Sequence, residues 1–240
     1  MIVSIGVGAG LVALLLLAAS GAGHRIGLWP FRTGFTLLGW AAWLGLGAAG
    51  VSLLGAVLVW NVRPRGRLGL ALGGVIIGLA VAAVPWQWQQ AVAKYPFIHD
   101  ITTDAADPPL FVTLLAARAD APNTSDYGGP KVALLQHAAY PDIVPVVLPV
   151  PVNEAFRRAE AAGRRLGWSM VALVAAEGRI EATDTTPWFG FTDDIVVRVR
   201  PVEGETDGAR IDVRSVSRVG RSDVGANARR IRAFLQQLQD

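Results

Sequence analysis

Apolar residues fall in three long runs before position 90 and in short periodic patches after position 140. Residues 2–22, 37–60 and 68–84 carry no charged side chain. Each approaches the roughly 20 residues that an α-helix needs to cross a bilayer. The first run predicts a retained helix rather than a cleaved leader, because no basic residue precedes it and two further runs follow. Trp29, Trp40 and Trp43, with Trp86 and Trp88, fall at one end of these runs and Trp60 at the other. That is the distribution of an aromatic belt at the two membrane interfaces. Gly6 and Gly10, Gly69 and Gly73, and Gly74 and Gly78 recur four residues apart. This spacing lets helix backbones approach closely, so the three helices are expected to pack on each other. No ionisable group lies inside a run, which argues against an ion or proton path through them.

After position 140 the periodicity shortens. Residues 143–152 read as an extended edge strand interrupted by Pro145, Pro149 and Pro151. Asn153 is expected to cap a helix running to Leu166. Ala155, Phe156, Ala159, Ala162 and Leu166 form its buried face, and Arg157, Arg158, Glu160, Arg164 and Arg165 its solvated one. Gly167 ends it. Residues 168–176, 179–184, 195–199 and 209–219 read as strands, with a hairpin loop at 204–208. Residues 224–238 read as a closing helix, with Ala228, Ile231, Phe234, Leu235 and Leu238 as its buried stripe. The fold class that follows is α+β: an antiparallel sheet with two helices on one face, preceded by three transmembrane helices. The expected domains are a membrane anchor at 1–90, a Pro/Asp-rich connector at 91–142 and a soluble domain at 143–240. Within the connector, 110–118 reads as a short helix and 123–130 as a loop.

Charge sharpens this division. Five arginines and no acid precede position 91, while 17 basic and 19 acidic residues follow it. The basic balance therefore belongs to the anchor and is not a nucleic-acid signature. Three arginines lie in the loop at 61–67 and two in the loop at 24–33. The denser loop is expected in the cytoplasm, which places the carboxy-terminal domain in the periplasm of a cell with an inner membrane. The chain contains no cysteine, which excludes disulfides, thiolate zinc sites and thiol catalysis.

Most of the polar residues that read as placed lie between 178 and 227. In the last strand Asp212, Arg214, Val216 and Arg218 alternate with Ile211, Val213, Ser215, Ser217 and Val219. Asp193 and Asp194 are the expected partners of Arg214 and Arg218, as a structural ladder or as part of a site. Arg218 and Arg221, with the amides of the GRSDVG turn at 220–225, match the chemistry of an anion site at a helix start. Ser222 or Asp223 is the competing internal cap. Trp188, Phe189 and Phe191 form either a hairpin tucked on the core or an apolar lip facing lipid or ligand. The candidate ligand-binding set is Asp194, Arg214, Ser217, Arg218, Arg221, Ser222, Asp223 and Asn227. No catalytic residue, metal ligand or cofactor is assigned. There is no G-x-S-x-G elbow, and Asp and Thr around 98–104 read as turn formers rather than a calcium loop.

These residues also carry a resemblance. The segments at 98–104 with Pro108 and Pro109, Tyr140 with Pro141, 166–168, 179–183, 189–191 with Asp193 and Asp194, and 212–218 with Gly220, Ser222, Asp223, Gly225 and Asn227 resemble the bacterial and plastid domain of unknown function 1499 family. The three-span anchor is similar to that of its proteobacterial members. The resemblance implies no catalytic residues. The expectation is an envelope protein in contact with the bilayer and with no nucleic acid, whose outer domain binds a lipid, an anionic ligand or an envelope protein partner. The alternative is a membrane-anchored hydrolase using Asp194, Arg214, Ser217 and Asp223.

Overall fold

Uncharged runs of this length form helices because a backbone in hydrocarbon must satisfy its own hydrogen bonds. The computed structural model describes residues 1–62, 65–204 and 207–239. Arg63 of the basic loop and Glu205 of the 204–208 loop lie outside the described residues. The apolar runs form α1 (Ile2–Arg25), α2 (Phe31–Val59) and α3 (Gly66–Lys94), each long and apolar enough to cross a membrane. All three extend beyond the uncharged runs, and α3 continues through Pro85. Gly6, Gly10, Gly74 and Gly78 are buried between the helices. A Cβ at Gly45 would come within 2.8 Å of the Gly78 carbonyl oxygen, so only glycine permits that crossing. Gly69 and Gly73 instead meet nothing within 4 Å. These helices form one compact unit, Met1–Ala93 with Pro187–Gly190.

The second unit comprises Lys94–Thr186 and Phe191–Asp240. Its strands are β1 (Asp100–Thr102), β2 (Val146–Leu148), β3 (Ser169–Val174), β4 (Arg179–Thr185), β5 (Thr192–Pro201) and β6 (Ala209–Ser217). The order is β1-β6-β5-β4-β3, every pairing is antiparallel, and β2 also pairs with β6. β1 and β2 lie end to end along one edge of β6, opposite residues 214–216 and 209–211. The helices are α4 (Gly129–Ala139), α5 (Val152–Arg165) and α6 (Ala226–Gln239), with short 3-10 helices at Thr113–Arg118 and Ala175–Glu177.

Strand alternation sends Ile180, Ala182, Ile195, Val197, Val199, Ile211 and Val213 to one face. There they meet Ala155, Phe156, Ala159 and Ala162 of α5 and Ala228, Ile231, Phe234 and Leu235 of α6. Trp168 stacks on Phe234 with ring centroids 5.0 Å apart. The opposite face carries a smaller cluster, Phe111, Leu114, Val196 and Val216. The α+β architecture with two helices on one sheet face is therefore as the pattern predicts.

Local elements differ in three places. α5 begins at Val152 with Pro151 before it, and Asn153 lies inside the first turn. Pro151 has the extended backbone that leads into a helix, whereas the Asn153 side chain only reaches the adjacent Glu154 amide. Of residues 143–152 only Val146–Leu148 pairs with β6, because prolines lie on both sides. The third difference falls in 91–142, where the short helix expected at 110–118 is the 3-10 helix Thr113–Arg118, but β1 and α4 form as well. α4 starts in a Gly-Gly-Pro sequence that reads as a loop, but proline is well placed in a first helical turn. The Gln136 amide of α4 then bonds both backbone groups of Thr102, accepting from its N–H at 3.0 Å and donating to its carbonyl at 2.7 Å. This side chain takes the place of a neighbouring strand beside β1.

Candidate functional site

The register of β5 on β6 sets Asp193 opposite Ser217 and Asp194 opposite Val216. Adjacent strand residues point to opposite faces, so the two carboxylates enter different networks.

On the helix face, Arg230 of α6 donates to Asp193 at 2.8 Å and to Asp184 at 2.9 Å. Its remaining nitrogen reaches Ser215 Oγ at 3.0 Å and Asn227 Oδ1 at 2.6 Å. Ser215 Oγ donates to Asn227 Oδ1 at 2.7 Å. Asn227 Nδ2 donates to Ser217 Oγ and to the His99 carbonyl, both at 3.0 Å. Asn227 thus ties α6 to two residues of β6 and to the chain just before β1. Asp193 is held by an arginine of α6, not by Arg214 or Arg218 as the sequence suggests.

On the other face, Arg218 grips Asp194 with two nitrogens, Nε to Oδ2 at 2.9 Å and Nη2 to Oδ1 at 2.8 Å. The charge-assisted pair raises the Arg218 pKa. Arg118 donates to the same buried carboxylate and to the carbonyls of Asn123 and Thr124. Arg214 is fully buried and pairs with Asp100, not with Asp193 or Asp194. It also donates to the Pro109 carbonyl at 3.2 Å and the Ser125 carbonyl at 2.7 Å. The guanidinium lies against the Phe111 and Tyr127 rings, 5.4 and 5.6 Å from their centroids. Burial, reinforced by Asp100, pushes the Tyr127 hydroxyl up to about 12.

Further along this face Glu181 accepts the Val112, Thr113 and Leu114 amides at 3.0, 3.0 and 2.8 Å and pairs with Arg179. Asp212 accepts from Arg198, Arg200 and Arg210. Both carboxylates are buried, and each is compensated by charge-assisted donors.

The turn before α6 is closed by its own side chains. Asp223 accepts the Gly225 amide at 2.8 Å and the Asn227 amide at 2.9 Å, and Ser222 Oγ accepts the Val224 amide at 3.2 Å. Burial holds the Asp223 carboxyl above its ordinary pKa, against the lowering effect of those amides. Val224 and Gly225 both have positive φ, 52° and 75°. That conformation is rare for a β-branched residue. Arg221 is exposed. The sequence-selected set therefore divides. Asp194 and Arg218 share one face, Ser217 and Asn227 the other, Asp223 and Ser222 lie in the turn, and Arg214 sits with Asp100.

Phe191 closes the β4–β5 hairpin on Thr186: its carbonyl accepts the Thr186 N–H at 2.9 Å, and its own N–H donates to Thr186 Oγ1 at 2.9 Å. Trp188 and Phe189 belong to the helical unit. The Trp188 indole donates to the Ala18 carbonyl at 3.2 Å, and the buried Phe189 ring lies 5.2 Å from Phe35.

Sequence reasoning missed Asp100, Arg118, Glu181 and Arg230 as organisers of these networks. Their partners are far away in the chain, and no local spacing marks them. It also missed a cleft of about 220 Å3 on the sheet face opposite α5 and α6. Pro109, Leu110, Val112 and Val196 supply apolar lining, and Glu177, Arg179 and Arg198 supply charge. Among the described residues no group of His, Asp and Glu side chains is placed to hold a metal ion.

The family model described as "Protein of unknown function (DUF1499)" matches residues 100–238, from β1 to the last turns of α6. No curated protein and no solved structure matches the chain.

Proposed function

The chain belongs to the DUF1499 family of proteins of unknown function, and we propose that it is an inner-membrane protein whose α+β domain acts on the periplasmic side as a binding module for a small amphipathic anion such as a lipid headgroup. The cleft beside Pro109 carries this reading. Its walls are apolar, and the two guanidinium groups at its edge are paired, Arg179 with Glu177 and Glu181 and Arg198 with Asp107 and Asp212. A ligand that is part apolar and part anionic would share these donors rather than find a free charge. At about 220 Å3 it has room for a headgroup or a short apolar group, not a whole acyl chain.

The sequence-selected residues take the role of its frame. Arg214 holds the Pro109 carbonyl at one end of the wall, and Glu181 holds the Val112 amide at the other. A binding role is favoured over the hydrolase alternative because Asp194, Arg214, Ser217 and Asp223 are each held by partners inside the domain. The arginine-richer loop at 61–67 supports the periplasmic orientation.

The test is identification of the small molecules and proteins that co-purify with the full-length chain in mild detergent. A retained anion should be lost from Leu110→Glu, since Leu110 is 71% exposed at the cleft and its replacement leaves the core alone. Unchanged retention in that variant rejects the cleft. A captured protein instead of a small anion points to a partner-docking role. A carboxy-terminal alkaline phosphatase fusion should be active, and an inactive fusion with a fluorescent cytosolic counterpart reverses the orientation.

A further inference from the structure

We propose that the outward face of α2 carries a site for one anionic phospholipid, separate from the cleft in the α+β domain. Arg32, Thr36, Gly39, Trp40 and Trp43 follow at intervals of three and four, so they share one helix face. That face forms a groove of about 460 Å3 lined by Thr36, Gly39, Trp40 and Trp43. Its walls are two indoles, 64% and 72% exposed. Its floor is Gly39, where a Cβ would meet no atom within 4 Å. On a helix apolar and long enough to cross a membrane, an apolar groove of this shape faces lipid. The indole faces suit a methylene chain, and their N–H groups suit the ester zone at the membrane interface. The Thr36 hydroxyl is turned back to the Arg32 carbonyl at 3.1 Å and leaves no polar demand in the groove.

Charge decides which lipid. Arg32 lies one turn before Thr36, is exposed, and has no carboxylate partner among the described residues. None is at hand in its own unit, because residues 1–99 and 187–190 contain no acid. Its counter-charge then comes from the surrounding membrane, and a guanidinium fork matches a phosphate. The ligand class is a glycerophospholipid of net negative headgroup, with its phosphate at Arg32 and one acyl chain along Gly39 between the indoles.

The experiment is native mass spectrometry of the full-length protein released from phosphatidylcholine nanodiscs containing phosphatidylglycerol. The wild type retains one phosphatidylglycerol in preference to phosphatidylcholine. Arg32→Gln lowers that preference about fivefold, the effect of one basic side chain near an anionic surface. Gly39→Leu fills the floor and removes the retained lipid. Arg67→Gln, in the first turn of α3, and Leu110→Glu in the domain cleft both leave it in place. Circular dichroism confirms that each variant keeps its helices. Three results overturn the site: full preference in Arg32→Gln, equal loss in Arg67→Gln, or lipid retained by a folded Gly39→Leu.

Discussion

Arg214 and Asp100 meet as a closed two-point pair, Nε to Oδ1 at 2.9 Å and Nη2 to Oδ2 at 2.7 Å, with both side chains out of solvent. They are 114 residues apart, and their contact fixes β1 on β6 and the Pro109 and Ser125 backbones above it. Removing one member leaves the other as an uncompensated buried charge. Arg214→Gln is therefore expected to destabilise the domain by about 3–5 kcal/mol. The double variant Arg214→Met with Asp100→Leu should recover much of that loss, because neither charge remains to be desolvated. Denaturant unfolding of the full-length protein, followed by protease resistance of the domain, measures both. A single variant as stable as the wild type would show that the pair does not hold the sheet edge.

The pH dependence centres on Asp223. Burial raises its carboxyl above the ordinary 3.8, despite two amide donors. A raised acid pKa means the folded state holds its proton longer than the unfolded chain does. The contribution of this group is thus most favourable below the ordinary carboxylate range and is lost as pH rises through the folded value. Asp223→Asn keeps an acceptor for the turn and does not titrate. Its stability relative to wild type is expected to improve as pH rises from about 4 towards neutrality. Thermal unfolding of both proteins across that range tests it, and a difference that stays constant with pH refutes it.

How far these features can be read from sequence depends on the range of the interaction. The alternation in β5 and β6 marks which face carries Val197 and Val213 and which carries Val196 and Arg214, because a strand has a period of two whatever it packs against. The stripe Ala228, Ile231, Phe234, Leu235 and Leu238 reads as buried from helical spacing and is buried in α6. Gln136 gives no such signal. Its role is to bond Thr102, 34 residues earlier, and polar residues near a Gly-Gly-Pro turn look like surface loop. Asp100 and Arg118 are obscured in the same way. They sit in a segment rich in turn formers, and their partners lie on strands not yet paired when the chain is read locally. The arginines of β6 stand out in the sequence as needing partners, but which carboxylate each takes is decided by sheet order.

Backbone strain before α6 gives a paired prediction. Val224 holds φ 52° with a β-branched side chain, and Gly225 follows at φ 75°. A non-glycine residue in a sparsely populated region costs on the order of 1–3 kcal/mol, more than the ~0.5–1 kcal/mol entropy penalty of glycine. Val224→Gly should therefore raise the unfolding midpoint slightly. Gly225→Ala should lower it, since a Cβ there would lie 2.7 Å from the Tyr95 ring. The two changes are compared by thermal unfolding, and shifts of the same sign would contradict the assignment of strain to Val224.

The helical unit offers a contrast between glycines that face a neighbour and glycines that do not. Gly45 lies against the Gly78 backbone, where a Cβ would stand 2.8 Å from a carbonyl oxygen that cannot move without bending α3. Gly69 has the same chemistry and a similar apolar setting, yet nothing lies within 4 Å of it. Helix association in lipid rests on such close packing, since apolar side chains gain little by leaving lipid for each other. Gly45→Leu is therefore expected to destabilise the helix bundle by about 1–3 kcal/mol through overpacking. Gly69→Leu should stay within about 0.5 kcal/mol of wild type, as for a surface change. Thermal unfolding in mild detergent, followed by helix content, separates the two. If Gly69→Leu is as damaging as Gly45→Leu, the outward face of α3 is covered by another helix in the assembled protein.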